Sequence, residues 1–363
     1  MKKMFKSFHR VVIMAVVLLV LSLSLVTAVP AGAADPPLYG YEIITSPPMA
    51  FSDGGWGGWS VPAGKVVLGG GFYSTGPVAA SAPGTPFSVW PHYTYGANEY
   101  GWCVRDAIDS TPNTITIYAI CAYKPDGYEV ITSNPLNYGD TGWGGWSVPA
   151  GKVVLGGGFV LSDPWSTPAG AAAASAPGTP NSAWPHYTYG PNEYGWCVRD
   201  AHDSQGNPNS HVYAICAYRP AGYEVITSNT LHYGDTGWAG WSAPAGKVVT
   251  GGGFNLGGCY PAAVSVPGTP NSVWPHYTYG PYEYGWCVQD AHDSQGNPNS
   301  YVYVICAEVA PPPPPTPPSK HGAAVGIEVY PVDKVGLIAP WIALAVVIIA
   351  GGVVLLIRRR AHS

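Results

Sequence analysis

The segment WPHYTYGPNEYGW at residues 184–196 concentrates side chains that could do chemistry. It contains aromatic rings that can stack, hydroxyl and indole groups that can form hydrogen bonds, and one carboxylate. The first seven residues of this segment occur three times, and the tryptophan and histidine positions are Trp90, Trp184, Trp274, His92, His186 and His276. Two interpretations stay open: a binding surface made of rings and hydrogen-bonding groups, or an ordinary tyrosine-rich pair of strands.

A second aromatic motif, GWGGWS, occurs at 55–60 and 142–147 and returns as GWAGWS at 237–242. In an extended segment, a spacing of three places its two tryptophans on opposite faces. The second tryptophan of each copy precedes a strand-like stretch and is expected to close the core, at Trp59, Trp146 and Trp241. The first, at Trp56, Trp143 and Trp238, is flanked by small residues and is predicted to form an exposed aromatic plate, on which a sugar ring could stack.

Carboxylates also recur, as at Glu193 and Asp200, and a pair of acids is the machinery of glycoside hydrolysis. However, repeats of this size seldom form a deep catalytic cleft, and the sequence has no nucleophile motif, phosphate-binding glycine loop or metal cluster. Three tethered copies favour binding, because weak sites gain from effective concentration. We expect a protein that is not an enzyme.

Metal binding is not expected either. No second histidine lies at ligand spacing from His92, His186 or His276. The segment DAHDSQGNPNS, which begins at Asp200, offers oxygen donors, but their spacing does not match a calcium-binding EF-hand loop. A solvated turn is the default interpretation, and no cofactor is predicted.

Three copies of one unit make up most of the chain. The motif VPAGKVVLGGGF begins at Val61 and Val148, and its variant APAGKVVTGGGF begins at Ala243, so the copies are 87 and 95 residues apart. Short strand-like segments separated by turn residues, without helical periodicity, predict an all-β fold. We expect three tandem domains of about 90 residues, each a β-sandwich or a Greek-key barrel, at 39–125, 126–220 and 221–309. Whether they are independent or pack into one pseudo-threefold unit is left open.

Seven cysteines after a secretion signal indicate disulfides. Six of the cysteines form three pairs with turn residues midway between the two partners, which predicts three antiparallel hairpins, each closed by a cross-strand bond on its wetter face. The expected pairs are Cys103 with Cys121, Cys197 with Cys216, and Cys287 with Cys306. Cys259 has no counterpart in the other repeats and is interpreted as a free thiol or as an intermolecular bridge.

Both ends of the chain carry targeting signals. Residues 1–34 combine a basic start, an apolar run and small residues before a cleavage site, as in a secretory signal peptide; an uncleaved membrane span is the alternative. Residues 335–357 contain no charge and are followed by three arginines at 358–360, which predicts a transmembrane helix and a cytoplasmic tail at 358–363. The proline-rich segment at 310–334 is predicted to be an extended stalk. The expected location is the bacterial cell membrane, with a single span and the repeats outside.

Composition supports this organisation. Charged residues make up only 10% of the chain, whereas it contains 47 glycines, 25 tyrosines and 14 tryptophans, which suits short strands and tight turns. The net charge of -5 provides no basic surface, so nucleic acid is not an expected partner.

The run WSVPAGKVVLGGGF, followed by SAPG, YGWCV and YAICA, resembles a repeat of uncharacterised secreted bacterial proteins. That resemblance covers about 39–309 and implies a surface β domain. The triplicate Trp-Gly stretch and Pro-x-Gly…Gly-Phe run are also similar to the vitelline membrane outer layer β-prism, whose repeats are much shorter. The C-terminal segment EVYPVDKVGLIAPWIALA…RRRAHS resembles the membrane anchor of surface proteins of some bacteria, notably Chloroflexi, and implies display.

The sequence therefore favours a non-catalytic binding or adhesion protein, displayed on a membrane-anchored stalk, with a cell-envelope or environmental polysaccharide as its ligand. The alternative is a structural cell-envelope protein that associates with copies of itself.

Overall fold

The computed structural model describes residues 35–311, apart from 53, 92, 108–112, 140, 162–170, 186, 202–206, 234–236, 259, 276 and 292–296. The expected signal peptide, stalk, transmembrane helix and tail, the three histidines His92, His186 and His276, and Cys259 lie outside the described residues. Within the described part of the chain, no helix is long and apolar enough to cross a membrane. All these residues belong to one compact unit.

The expected all-β class is confirmed, since every helix or strand among the described residues is a strand. Each repeat contributes nine. Repeat 1 contains β1 (Glu42–Thr45), β2 (Met49–Phe51), β3 (Trp56–Ser60), β4 (Lys65–Ser74), β5 (Val78–Gly84), β6 (Val89–Trp90), β7 (Tyr93–Thr94), β8 (Gly101–Asp106) and β9 (Asn113–Tyr123). Repeat 2 contains β10 (Glu129–Thr132), β11 (Leu136–Tyr138), β12 (Trp143–Ser147), β13 (Val153–Val160), β14 (Ala172–Gly178), β15 (Ala183–Trp184), β16 (Tyr187–Thr188), β17 (Gly195–Asp200) and β18 (Asn207–Ala217). Repeat 3 contains β19 (Glu224–Thr227), β20 (Leu231–Tyr233), β21 (Trp238–Ser242), β22 (Lys247–Asn255), β23 (Ala262–Gly268), β24 (Val273–Trp274), β25 (Tyr277–Thr278), β26 (Gly285–Asp290) and β27 (Asn297–Glu308).

Three seven-stranded sheets are each shared by two repeats. Their orders are β1-β9-β4-β23-β26-β21, β10-β18-β13-β5-β8-β3 and β12-β17-β14-β22-β27-β19, with β2, β11 and β20 pairing off these paths to β9, β18 and β27. In each sheet four strands come from one repeat and three from another, and the exchange is cyclic: β4 pairs with β23, β13 with β5, and β22 with β14. The three repeats therefore pack into one pseudo-threefold unit.

The triplet GGG explains how the three sheets meet. The first glycines of the three triplets are Gly69, Gly156 and Gly251. A Cβ atom added to Gly156 would lie 2.9 Å from Cα of Gly69. A Cβ atom added to Gly251 would lie 2.8 Å from Cα of Gly156, and one added to Gly69 would lie 3.0 Å from Cα of Gly251. Each of the three strands therefore contacts the next through this glycine, and no side chain fits where the three strands meet. Beside this meeting point, Thr250 Oγ1 donates a hydrogen bond to the Leu155 carbonyl at 2.9 Å.

One hydrophobic core runs through all three repeats. Its largest fully buried side chains are Trp102, Trp196 and Trp286, and each indole Nε1 donates to a serine hydroxyl, on Ser81, Ser175 and Ser265, at 2.8–2.9 Å. Because a buried indole N–H without a partner is costly, these bonds fix the rotamer of the central tryptophans.

The predicted cysteine hairpins are wrong. β8 pairs with β3 and β5, whereas β9 pairs with β1 and β4, so Cys103 and Cys121 lie in different sheets. The same separation holds for Cys197 and Cys216 and for Cys287 and Cys306. All six are buried free thiols in this structure, and the two strands of each pair belong to different sheets. The expected wetter face is also wrong, because the hydroxyls of Tyr95, Tyr189 and Tyr279 cover Cys103, Cys197 and Cys287 at 3.3 Å.

Candidate binding clefts between repeats

The two aromatic motifs come together in space. GWGGWS forms β3, β12 or β21 at the edge of a sheet, and the WPHYTYG segment forms a two-stranded hairpin, β6-β7, β15-β16 or β24-β25. The first tryptophan of GWGGWS packs against the tryptophan of WPHYTYG in every repeat: the ring centroids are 5.1 Å apart for Trp56 and Trp90, 5.2 Å for Trp143 and Trp184, and 5.7 Å for Trp238 and Trp274. The rings are stacked in repeats 1 and 3, at 24° and 20°, and are inclined by 36° in repeat 2.

A tyrosine of the next repeat completes each aromatic group. Trp90 lies 6.0 Å from Tyr213, Trp184 lies 5.8 Å from Tyr303, and Trp274 lies 6.5 Å from Tyr118, between ring centroids. We call these sites the first cleft (Trp56, Trp90, Tyr213), the second cleft (Trp143, Trp184, Tyr303) and the third cleft (Trp238, Trp274, Tyr118). Burial raises the pKa of Tyr118, Tyr213 and Tyr303, so each hydroxyl stays protonated.

Cationic side chains cover two of the three tryptophan pairs. Trp56 stands opposite Arg105 in the sheet and Trp143 opposite Arg199, and their guanidinium carbons lie 5.6 and 5.3 Å from the ring centroids. These are cation–π distances. In the third cleft the residue opposite Trp238 is Gln289, which has no charge.

The exposed plate predicted at the first tryptophan is wrong for Trp56, of which only 6% is exposed, because Trp90 and Arg105 cover its ring. Trp143 and Trp238 are half-buried. Trp59, Trp146 and Trp241 are also half-buried and pack against the main core. The two tryptophans of the motif therefore lie on opposite faces of the strand, as the spacing of three predicts, but both faces pack against other parts of the protein.

Cavities adjoin the first and second clefts. The second cleft opens into a cavity of about 600 Å³, within the usual range for small-molecule sites, about 300–1,000 Å³. Besides its aromatic rings, polar side chains of both repeats line this cavity: Thr179, Ser182, Arg199, Thr227, Asn255 and Asn299. The cavity at the first cleft measures about 310 Å³ and includes His211 beside Trp90 and Tyr213.

The residue that follows GGGF differs between the clefts. Val160 pairs with Ala80, which pairs with Arg105. In the same way, Asn255 pairs with Ala174, which pairs with Arg199. Tyr73 pairs with Val264, which pairs with Gln289. Paired residues of neighbouring strands share a face of the sheet. Arg105, Arg199 and Gln289 pair in turn with the first tryptophan of each cleft. The side chain at this variable position therefore lies on the same face of the sheet as that tryptophan, in one row of paired residues across the strands.

The carboxylates singled out in the sequence have structural partners. Glu193 accepts hydrogen bonds from the Ser147 hydroxyl and the Gly190 N–H, and these bonds lower its pKa. A lowered pKa keeps the group ionised, which is the opposite of what a general acid needs. Asp200 is buried and accepts a 2.6 Å hydrogen bond from Asn207. Among the residues that the structure describes, no group of three or more His, Cys, Asp or Glu side chains could hold a metal ion.

Sequence reasoning missed the partners that other strands supply: Arg105 and Arg199, the three tyrosines of the clefts, and the variable position. A signal was available in the comparison of copies. Between GWCV and Asp, repeat 2 has Arg199 where repeat 3 has Gln289. After GGGF, repeat 2 has Val160 where repeat 3 has Asn255, although the neighbouring residues are the same in both repeats.

A comparison with protein-family models and a comparison with curated proteins give no match to this chain. The function is therefore argued from the clefts themselves.

Proposed function

We propose that this protein is a non-catalytic cell-surface binding protein whose ligand is a glycan, held in the aromatic clefts between repeats. The observation that carries the proposal is the pair of packed tryptophan rings, present three times and always completed by a tyrosine of the next repeat. Indole and phenol rings combine a flat apolar face with polar edges, which matches the alternation of C–H and hydroxyl groups on a sugar ring.

The chemistry of the clefts supports binding. Glu193 and its equivalents, Glu99 and Glu283, hold their own hairpins through Ser147, Ser60 and Ser242. The cavity at the second cleft has hydroxyl, amide and guanidinium groups around its rings, a set suited to orienting a sugar.

The setting of this function is also a proposal. The three repeats, predicted as sandwich or Greek-key domains, would stand outside a bacterial membrane on the proline-rich stalk 310–334, with residues 335–357 in the bilayer. A polysaccharide of the cell envelope or of the environment is the ligand that this position offers.

The test is a glycan array probed with the full-length protein in mild detergent. We expect retention of at least one polysaccharide, and a loss of at least tenfold in signal for the double variant Trp184→Ala, Trp274→Ala. The matched control is Tyr123→Ala, Tyr218→Ala, which removes two rings that are 56% and 57% exposed and lie outside the clefts. Equal loss in both variants, or no retention by the wild type, would contradict the proposal.

Self-association is the second candidate, because apolar side chains on and beside the hairpins are strongly exposed: Phe87 (72%), Val89 (62%), Val273 (72%) and Tyr282 (86%). Phe87 and Val89 belong to repeat 1, and Val273 and Tyr282 belong to repeat 3, so two hairpins offer apolar side chains to another copy of the chain. Sedimentation of the full-length protein over a hundredfold range of concentration tests it. A single monomeric species throughout would remove this candidate.

A further inference from the structure

The three clefts differ at the position after GGGF, which places its side chain in the row of the first tryptophan. In the third cleft this residue is Tyr73. Its ring lies 6.2 Å from both Trp238 and Trp274 and is inclined to them by only 33° and 27°. A ring of the protein itself therefore packs against both tryptophans of the third cleft.

The second cleft has Asn255 in the same place. Its side chain is shorter and brings an amide, and the cavity of about 600 Å³ adjoins it. Trp143, Trp184 and Arg199 all line this cavity, and the guanidinium carbon of Arg199 lies 5.3 Å from the Trp143 ring. The tryptophans of the second and third clefts are half-buried alike, but only those of the third cleft have the ring of Tyr73 against them.

The first cleft has a fully buried Val160 at this position. Trp56 and Trp90 are each only 6% exposed, and the adjoining cavity is about half as large as that of the second cleft. Its rings are covered and offer little surface for stacking.

We propose that the second cleft is the one glycan site of the chain, that it binds a pyranose ring against Trp143 and Trp184 beside Asn255, and that Tyr73 closes the third cleft by taking the place of the ligand. This inference rests on the proposed function and makes it more specific: the number of sites per chain is one, although the motif occurs three times.

Exchanging the residues at the variable position tests the inference. Asn255→Tyr copies the third cleft into the second, and Tyr73→Asn does the reverse. Both residue types already occupy this position on an equivalent strand, so neither change brings a side chain that the backbone cannot hold. Thermal melts of both variants verify that they are folded.

The measurement is a calorimetric titration of the full-length protein in detergent with chitohexaose, cellohexaose and mannohexaose. We expect one site per chain for the wild type with at least one of these sugars, a loss of affinity of at least tenfold for Asn255→Tyr, and two sites per chain for Tyr73→Asn. A proline-rich peptide is the comparison ligand, since polyproline helices also bind aromatic grooves.

The outcomes separate the two proposals. Three sites in the wild type, or unchanged binding by Asn255→Tyr, would overturn the single-site inference and leave the glycan function standing. Binding of the peptide alone, or of none of the four ligands by any variant, would overturn both.

Discussion

The indole ring of Trp196 packs directly on Gly157: a Cβ atom on this glycine would lie 2.6 Å from Cγ of the indole. The equivalent pairs are Trp102 with Gly70 and Trp286 with Gly252. Each glycine of the triplet GGG thus has its own task. The first lets three backbones meet near the pseudo-threefold axis, the second receives the core tryptophan, and the third lies against the strand of another repeat, where a Cβ on Gly158 would be 3.1 Å from Cα of Ala82.

This packing predicts the cost of adding one methyl group. Gly157→Ala must displace Trp196, whose Nε1 is held by Ser175 at 2.9 Å, so we expect a loss of about 1–3 kcal/mol in the free energy of unfolding, the usual cost of overpacking. Urea denaturation followed by tryptophan fluorescence measures it. The matched control is Gly139→Ala, because nothing lies within 4 Å of a Cβ at Gly139. Equal effects of the two changes would contradict the packing argument.

The tryptophans of GWGGWS should differ in their contribution to stability according to how deeply each is buried. Trp56 is 6% exposed, so Trp56→Ala should cost about 3–5 kcal/mol, as for a buried aromatic residue. Trp143 is half-buried, and Trp143→Ala should cost less, about 1–2 kcal/mol, chiefly from the loss of its contact with the Trp184 ring. Guanidinium denaturation of the two single variants gives both values. If Trp143→Ala proved as costly as Trp56→Ala, the ring in the second cleft would be core and unavailable to a ligand.

The sequence predicted the strands but not their partners. In repeat 2, the strand-like segments YEVITS, KVVLGGGFV and YGWCVRDA contain β10, β13 and β17. The pairing of Phe159 with Ser81 joins two repeats, and because the repeats are nearly identical in sequence, the same strand could equally be matched to its own repeat. Turn residues between Cys197 and Cys216 indicate a reversal of the chain, but they do not reveal that the chain passes into another sheet.

The sequence also could not predict which aromatic rings are exposed. Small neighbours on either side of Trp56 suggested an open ring, whereas its cover comes from Trp90 and Arg105, which are distant in sequence. Local composition cannot report a contact made by a hairpin that folds back from further along the chain.

The buried thiols predict a loss of stability at alkaline pH. Burial raises the pKa of Cys103, Cys197 and Cys287 to about 12, from an ordinary value of 9.0. The folded protein keeps these protons where the unfolded chain releases them, so the stabilisation is complete below pH 9 and is lost as the pH rises from about 9 towards 12. Urea denaturation at pH 7.5, 9 and 10 should show a falling free energy of unfolding.

Cys197→Ala provides the control for this dependence, because it should reduce the fall between pH 9 and 10 while Tyr189, whose pKa burial also raises, is retained. In the folded protein these three thiols should also resist iodoacetamide until urea is added. A fall in stability of the same size in the variant would assign the pH dependence to other groups.

The shared sheets predict that one repeat cannot fold alone. In a fragment of residues 126–220, β13 would lose its pairing with β5, β14 would lose its pairing with β22, and the axial contact of Gly156 with Gly69 and Gly251 would be missing. The edges left open would expose backbone hydrogen-bonding groups, and Leu155 and Phe159, both buried in the whole protein, would lose part of their cover. We expect the fragment to give an unfolded proton–nitrogen NMR spectrum, and the fragment 35–311, which retains all three repeats, to give a dispersed one. A dispersed spectrum and a cooperative melt for 126–220 alone would show that a single repeat has a sufficient core, and that the shared sheets are not required for folding.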